Sequence, residues 1–184
     1  MSHLDEILAF NKSFVEQKAF EPYTATRLPF KKMVILGCMD TRLIELLPKA
    51  MNLKNGDAKI IKNAGAMIAH PFGSIMRSIF VAIYELGVDE VYVIGHQECG
   101  MSSLNSDVTI QAMLARGIKQ ETLDMLKYSG IAIKKWLHGF DSVYESVLES
   151  VDKIEKHPLL PADVKVHGLI IHPSTGELEL IKRG

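Results

Sequence analysis

Two continuous apolar runs stand out along this chain, Met33-Val34-Ile35-Leu36 and Val91-Tyr92-Val93-Ile94. Neither alternates with polar residues, so each reads as a strand buried on both faces, Lys32 to Gly37 and Glu90 to Ile94, the pattern of a parallel sheet. A shorter strand, Ala58 to Lys62, follows the turn Asn55-Gly56-Asp57. A fourth covers Val166 to Ile171, and Pro173-Ser174-Thr175-Gly176 turns it into Glu177 to Ile181, expected as an antiparallel edge strand. Helical spacing fills the intervals. Leu4, Ile7, Leu8, Phe10, Phe14 and Val15 predict an amphipathic helix over 3–18. Residues 43–51 read as a short helix interrupted by Pro48. Ile75, Ile79, Phe80, Ala82, Ile83 and Leu86 mark one helical face, closed by Gly87. Residues 102–138 suggest short helices broken near Gly117 and Gly130. Ser142 with Glu145 resembles a capping box for a helix through Val143, Val147, Leu148, Val151 and Ile154, ended by Pro158 and Pro161.

Strands alternating with helices define an α/β class: a mostly parallel central sheet with helices on both faces and an antiparallel edge strand at the C-terminus. No linker or repeat divides the chain. It reads as one domain over 1–184, with an N-terminal helical arm over 1–29 and an α/β core over 30–184. In such sheets ligands bind outside the carboxyl ends of the strands. If the first and third strands are neighbours, those ends stand roughly 4.8 Å apart.

Composition narrows the function classes. With 21 basic and 22 acidic residues the net charge is −1, which gives no general basic footprint for nucleic acid. No apolar run approaches the roughly 18 residues of a membrane span. The N-terminus carries acids early and lacks a basic region, so it does not read as a secretory signal. Two cysteines make no disulfide framework, and the cytoplasm, where thiols stay reduced, is the expected compartment.

Those two cysteines follow the two apolar runs. The first lies in Gly37-Cys38-Met39-Asp40-Thr41-Arg42, the second in Gly95-His96-Gln97-Glu98-Cys99-Gly100-Met101. Two Cys with one His form a three-ligand zinc set that leaves a fourth position open, as catalytic zinc requires. Cys38, His96 and Cys99 are the expected ligands. Asp40 and Arg42 lie two and four positions after Cys38; on extended backbone all three would point the same way. An arginine can hold a carboxylate by a fork of hydrogen bonds, keeping Asp40 aimed at zinc-bound hydroxide. Released, Asp40 would be a possible fourth ligand in a closed state. Taken singly, each feature has a plainer reading: a small buried hydrophobe, a structural histidine, a surface ion pair. His70, His157, His167 and His172 are read as structural, Glu98 as a solvated loop residue, and the methionines as core filler.

Cys38–Arg42, then Asn63-Ala64-Gly65, then Gly95–Met101, in this order and spacing, resemble the beta class of carbonic anhydrases, as do Pro158-Leu159-Leu160-Pro161 and the terminal hairpin. The resemblance covers roughly residues 30–181. It implies zinc on Cys38, His96 and Cys99, an Asp40–Arg42 dyad, and reversible hydration of carbon dioxide to bicarbonate and a proton. It places Asn63, Ala64, Gly65 and Gly100 in the active-site wall. It also implies a homodimer or a multiple of dimers, with the N-terminal helix reaching over the partner. Departures are Thr41, Lys62, Ala66 and Gln97-Glu98, and Ile35 where bicarbonate-regulated members carry tryptophan. Two alternatives stand beside this: hydrolysis of carbon disulfide or carbonyl sulfide on the same scaffold, and a non-catalytic zinc-stabilised dimer.

Overall fold

In the computed structural model, which describes residues 2–184, five strands form one sheet in the order β2-β1-β3-β4-β5. They are β1 (Met33–Cys38), β2 (Ala58–Asn63), β3 (Glu90–His96), β4 (Lys165–Ile171) and β5 (Leu178–Lys182). The first four are parallel, and β5 pairs antiparallel with β4 across a register shift at Gly168/Leu169. All six residues of β1 are buried, as a strand needs when it has neighbours on both edges and helices on both faces. Pairing of Gly37 with Ile94 brings the ends of β1 and β3 level.

Two glycines show how the helices seat. A Cβ at Gly37 would meet Leu47 of α2 (Leu43–Ala50) at 3.2 Å. One at Gly95 would meet Val143 and Val147 of α7 (Val143–Glu155), both at 2.8 Å. Gly37 is level with Ile94, so Gly95 points to the opposite side, and α2 and α7 therefore cover opposite faces. A side chain at 95 would push α7 away; here the absence of Cβ, rather than a special φ, is what matters. α3 (Ser74–Leu86) buries Met76, Ile79, Ala82 and Ile83 and is closed by Gly87. Fully buried Ile35, Leu36, Leu43, Leu47, Ile68 and Ile79 each contribute about 1.5–3 kcal/mol by leaving water.

Several boundaries differ from expectation. Both strands that lead to the cysteines run further than their apolar cores: β1 includes Cys38, and β3 continues to His96, because Gly95 and His96 still pair with Ile170 and Ile171 of β4. Pro48 does not interrupt α2, which continues to Ala50. The bond Pro48 cannot donate would go to the carbonyl of Ile44, an exposed residue whose carbonyl water can satisfy. As expected, residues 102–138 form short helices broken near Gly117 and Gly130: α4 (Ser106–Ala115), α5 (Gln120–Tyr128) and α6 (Ile133–Leu137). Ser142 caps α7 through the amide of Glu145.

The N-terminal helix α1 (His3–Glu16) ends two residues earlier than its periodicity suggests, before Lys18 at φ 54. Ser2 and Asp5 cap it reciprocally, yet none of its residues is buried. The chain joins the core where Phe30 and Lys31 donate to the carbonyls of Gly56 and Asp57, at 2.9 Å each. Among the described residues no helix is long and apolar enough to cross a membrane.

Candidate metal centre

The ends of β1 and β3 bring three soft donors together. One ligand atom each of Cys38, His96 and Cys99 lie within 4.8 Å of one another, and all three residues are buried. The two sulfurs are 3.9 Å apart, within hydrogen-bond reach, and not joined in a disulfide. Two sulfurs bound at about 2.3 Å to one tetrahedral ion would stand about 3.8 Å apart, so the pair already has that spacing. His96 completes the fit. Its Nδ1 lies 2.8 Å from the carbonyl oxygen of Gln97, an acceptor, so Nδ1 carries the proton. Nε2 is then a bare lone pair, fully buried and without a hydrogen-bond partner. Such an atom is costly unless something binds it. A cation between the sulfurs and Nε2 removes that cost, and the donor set suits zinc.

The thiols have similar burial and opposite acidities. Burial raises the pKa of both. At Cys38 the contact with His96 and the amide of Gly65, which donates to Sγ at 3.4 Å, outweigh burial and bring the thiol down. At Cys99 burial prevails, and the charge of Cys38 adds to it. Burial opposes a charged His96, but the sulfur of Cys38 and the carbonyl of Gln97 draw its pKa up. Two thiolates side by side need a counter-charge, which a divalent cation supplies.

Asp40 and Arg42 also reach this place, but not by strand alternation. β1 stops at Cys38, and residues 39–42 form a turn. Asp40 folds back so that Oδ1 accepts from the backbone N–H of Arg42 at 2.9 Å and from its Nε at 3.1 Å; Oδ2 accepts from Nη2 at 2.9 Å. This fork, foremost, lowers the Asp40 carboxyl to about 2. Oδ2 stands 3.8 Å from Nε2 of His96. Asp40 therefore borders the three donors while Arg42 engages both its oxygens.

The segment after β2 closes one side. Asn63 holds its own loop, accepting from the amide of Met67 at 3.2 Å and donating to its carbonyl at 2.7 Å. The next residues form a short 3-10 turn, Ala64–Ala66, in which Gly65 has φ 84. A Cβ on Gly65 would lie 3.0 Å from Phe140 and 3.1 Å from Met101, so any other residue there is both strained and crowded. Gly100 begins the 3-10 turn Gly100–Ser102 directly after Cys99. The histidines set aside as structural are engaged elsewhere: His157 is buried with Nε2 3.1 Å from the carbonyl of Pro71, and Nδ1 of His70, His167 and His172 accepts from backbone amides.

Glu98 is the residue that sequence reasoning missed. Its Oε2 accepts from Nη1 of Arg42 at 3.1 Å and its carbonyl from Nη2 at 3.3 Å. It sits at φ 54 between His96 and Cys99. Its place between two ligand candidates was the available signal; the contact itself spans 56 positions.

Comparison with known proteins agrees with this geometry. Residues 33–178 match the family described as carbonic anhydrase. The chain is 58% identical over 184 residues, 100% of itself and 98% of its counterpart, to YtiB of Bacillus subtilis (strain 168), a protein provisionally named a carbonic anhydrase. It superposes with a TM-score of 0.90 on a crystal structure of beta-carbonic anhydrase isoform I from Trichomonas vaginalis, with 36% identity and 100% of both chains covered. A more distant relative, 29% identical over 80% of this chain and 76% of its own, is the carbon disulfide hydrolase of Acidithiobacillus thiooxidans. The chain belongs to the carbonic anhydrase family, and its sheet and helices have the fold of the family's beta class.

Proposed function

We propose that the chain holds one zinc ion on Cys38, His96 and Cys99 and interconverts carbon dioxide with bicarbonate and a proton. The observation that carries this is the buried, partnerless Nε2 of His96 facing two close sulfurs, with the Asp40–Arg42 fork at its edge. When bound, zinc supplies a hydroxide nucleophile near neutral pH. The remaining work falls to side chains. Carbon dioxide is small and apolar and orients itself poorly, so the nucleophile must be held. Asp40, ionised because Arg42 holds its pKa near 2, can only accept hydrogen bonds; it fixes the direction of a proton-bearing nucleophile beside His96. Arg42 keeps both Asp40 oxygens engaged and so keeps the carboxylate from taking the open ligand position. Asn63, Ala64, Gly65 and Gly100 serve as wall.

A dimer, or a multiple of dimers, fits the uncovered apolar face of α1. Hydrolysis of carbon disulfide is a second reading, favoured by the distant relative of that name. Side-by-side assays of carbon dioxide hydration and sulfide release distinguish the two.

The deciding measurement pairs zinc analysis with the hydration assay. Cys99→Ser is expected to fall from one zinc per chain to near none, with activity following, while His70→Ala keeps both. Full zinc occupancy in Cys99→Ser would sink the ligand assignment. Arg42→Ala is expected to keep its zinc and lose about a hundredfold in hydration rate, the size of effect that loss of a positioned polar group brings. Arg42→Lys should recover little, since an ammonium cannot form the fork. Wild-type rates in zinc-replete Arg42→Ala would refute the dyad while leaving the metal assignment intact.

A further inference from the structure

We infer that Glu98 is a positioning residue for Arg42, gripping the guanidinium along its Nη1–Nη2 edge while Asp40 holds the adjoining Nε–Nη2 edge. The inference rests on the proposed role of the Asp40–Arg42 pair. Arg42 has five N–H donors on its guanidinium. Nε and Nη2 engage Asp40, while Nη1 engages the Glu98 carboxylate and Nη2 also reaches the Glu98 carbonyl. A planar group gripped on one edge can pivot about that edge. Gripped on two, it cannot turn away from Asp40 without breaking bonds to both residues.

The backbone makes this double grip possible. At φ 54 Glu98 adopts a left-handed conformation uncommon for its type, in which its carbonyl and its side chain both reach the same arginine. Asp40 and Arg42 come from the turn after β1, and Glu98 from the turn after β3. The tie therefore joins the two turns that follow Cys38 and His96. Were either turn to drift, the fork and the donors would lose register together.

The Glu98 side chain is 70% exposed, so the contact adds little to stability. Its consequence is orientation. Glu98→Gln keeps an oxygen acceptor without the charge. Glu98→Ala leaves only the backbone carbonyl.

The test uses the full chain, loaded with zinc and labelled with 15N, with the Arg42 Nε–H resonance identified by its disappearance in Arg42→Lys. Rotation of the guanidinium about the Nε–Cζ bond, followed by exchange NMR, should be slow in the wild type. It should speed up about two- to fivefold in Glu98→Ala, the range an exposed charged contact supports, with Glu98→Gln in between. Unchanged rotation in Glu98→Ala overturns the inference. Hydration rates supply the second arm. Glu98→Ala should lose about two- to fivefold when Arg42 is present and nothing further in the Arg42→Ala background. Equal losses in both backgrounds also overturn it, because Glu98 would then act without Arg42. A wild type that hydrates no carbon dioxide would defeat the functional reading, and guanidinium rotation would still decide the role of Glu98.

Discussion

β1 and α1 are both rich in apolar residues, and they meet opposite fates. Every residue of β1 is buried; no residue of α1 is. Leu4, Ile7 and Phe10 of α1 are 62%, 63% and 71% exposed, whereas Val34, Ile35 and Leu36 of β1 have no exposure. Hydrophobic content alone does not separate them. What differs is whether the same chain supplies a cover. β1 finds β2 and β3 at its edges and helices on both faces. α1 has its own capping box but buries no residue, and a helix this short is marginal in water without packing. The centre of the sheet is covered within one chain; the arm asks for something outside it, and a second copy is the proposed cover.

Three perturbations sharpen or break that contrast. The largest effect belongs to the centre. Leu36→Ala, a fully buried truncation, is expected to cost about 2–5 kcal/mol of unfolding free energy, read from denaturant melts. A cost under about 1 kcal/mol would mean that β1 is not the packed centre described here.

The arm should answer differently. Leu8→Asp with Phe10→Asp places charges on an exposed face, so it should spare the fold of a single chain while shifting the mass in light scattering from dimer toward monomer. A wild type already monomeric at micromolar concentration, or a variant that stays dimeric, would remove α1 from the interface.

The smallest effect is at the border of the two turns. The folded pKa of Asp40, about 2, lies below its ordinary value of 3.8. Its contribution to stability is therefore complete above about pH 4 and disappears as pH falls through about 2. In zinc-free protein, wild type should lose stability more steeply than Asp40→Asn between those limits. Parallel curves would show that the Arg42 fork does not persist in solution.

Much of this was legible in the sequence, for identifiable reasons. The continuous runs before Cys38 and His96 read as strands buried on both faces, and each put a cysteine at or just past a strand end; that the two strands are neighbours was only a condition, which the pairing of Gly37 with Ile94 meets. The face of α3 and its Gly87 stop were equally plain. The approach of Asp40 was expected for a reason that fails: extended alternation would have aimed it, but a turn does so, because Oδ1 bonds the amide two residues on. Pro48 was misjudged because a proline near a helix end loses one bond that water replaces. The Glu98 contact was invisible because it depends on one left-handed backbone angle and on a partner distant in sequence. Over 102–138 the breaks near Gly117 and Gly130 were legible, since both glycines take positive φ; the exact helix ends were not, since neither α4 nor α6 buries a residue and so neither needs a sharp apolar stripe.

Gly95 sets terms for how this sequence can drift. It precedes His96, and Val143 and Val147 occupy the space its side chain would need. A lineage that acquired alanine at 95 would have to trim both 143 and 147, since otherwise α7 would be levered away from the strand that carries His96. Positions 95, 143 and 147 thus form one unit of inheritance. Their volumes are free to change only in concert, although neither valine is among the three donors and neither would be picked out by its chemistry.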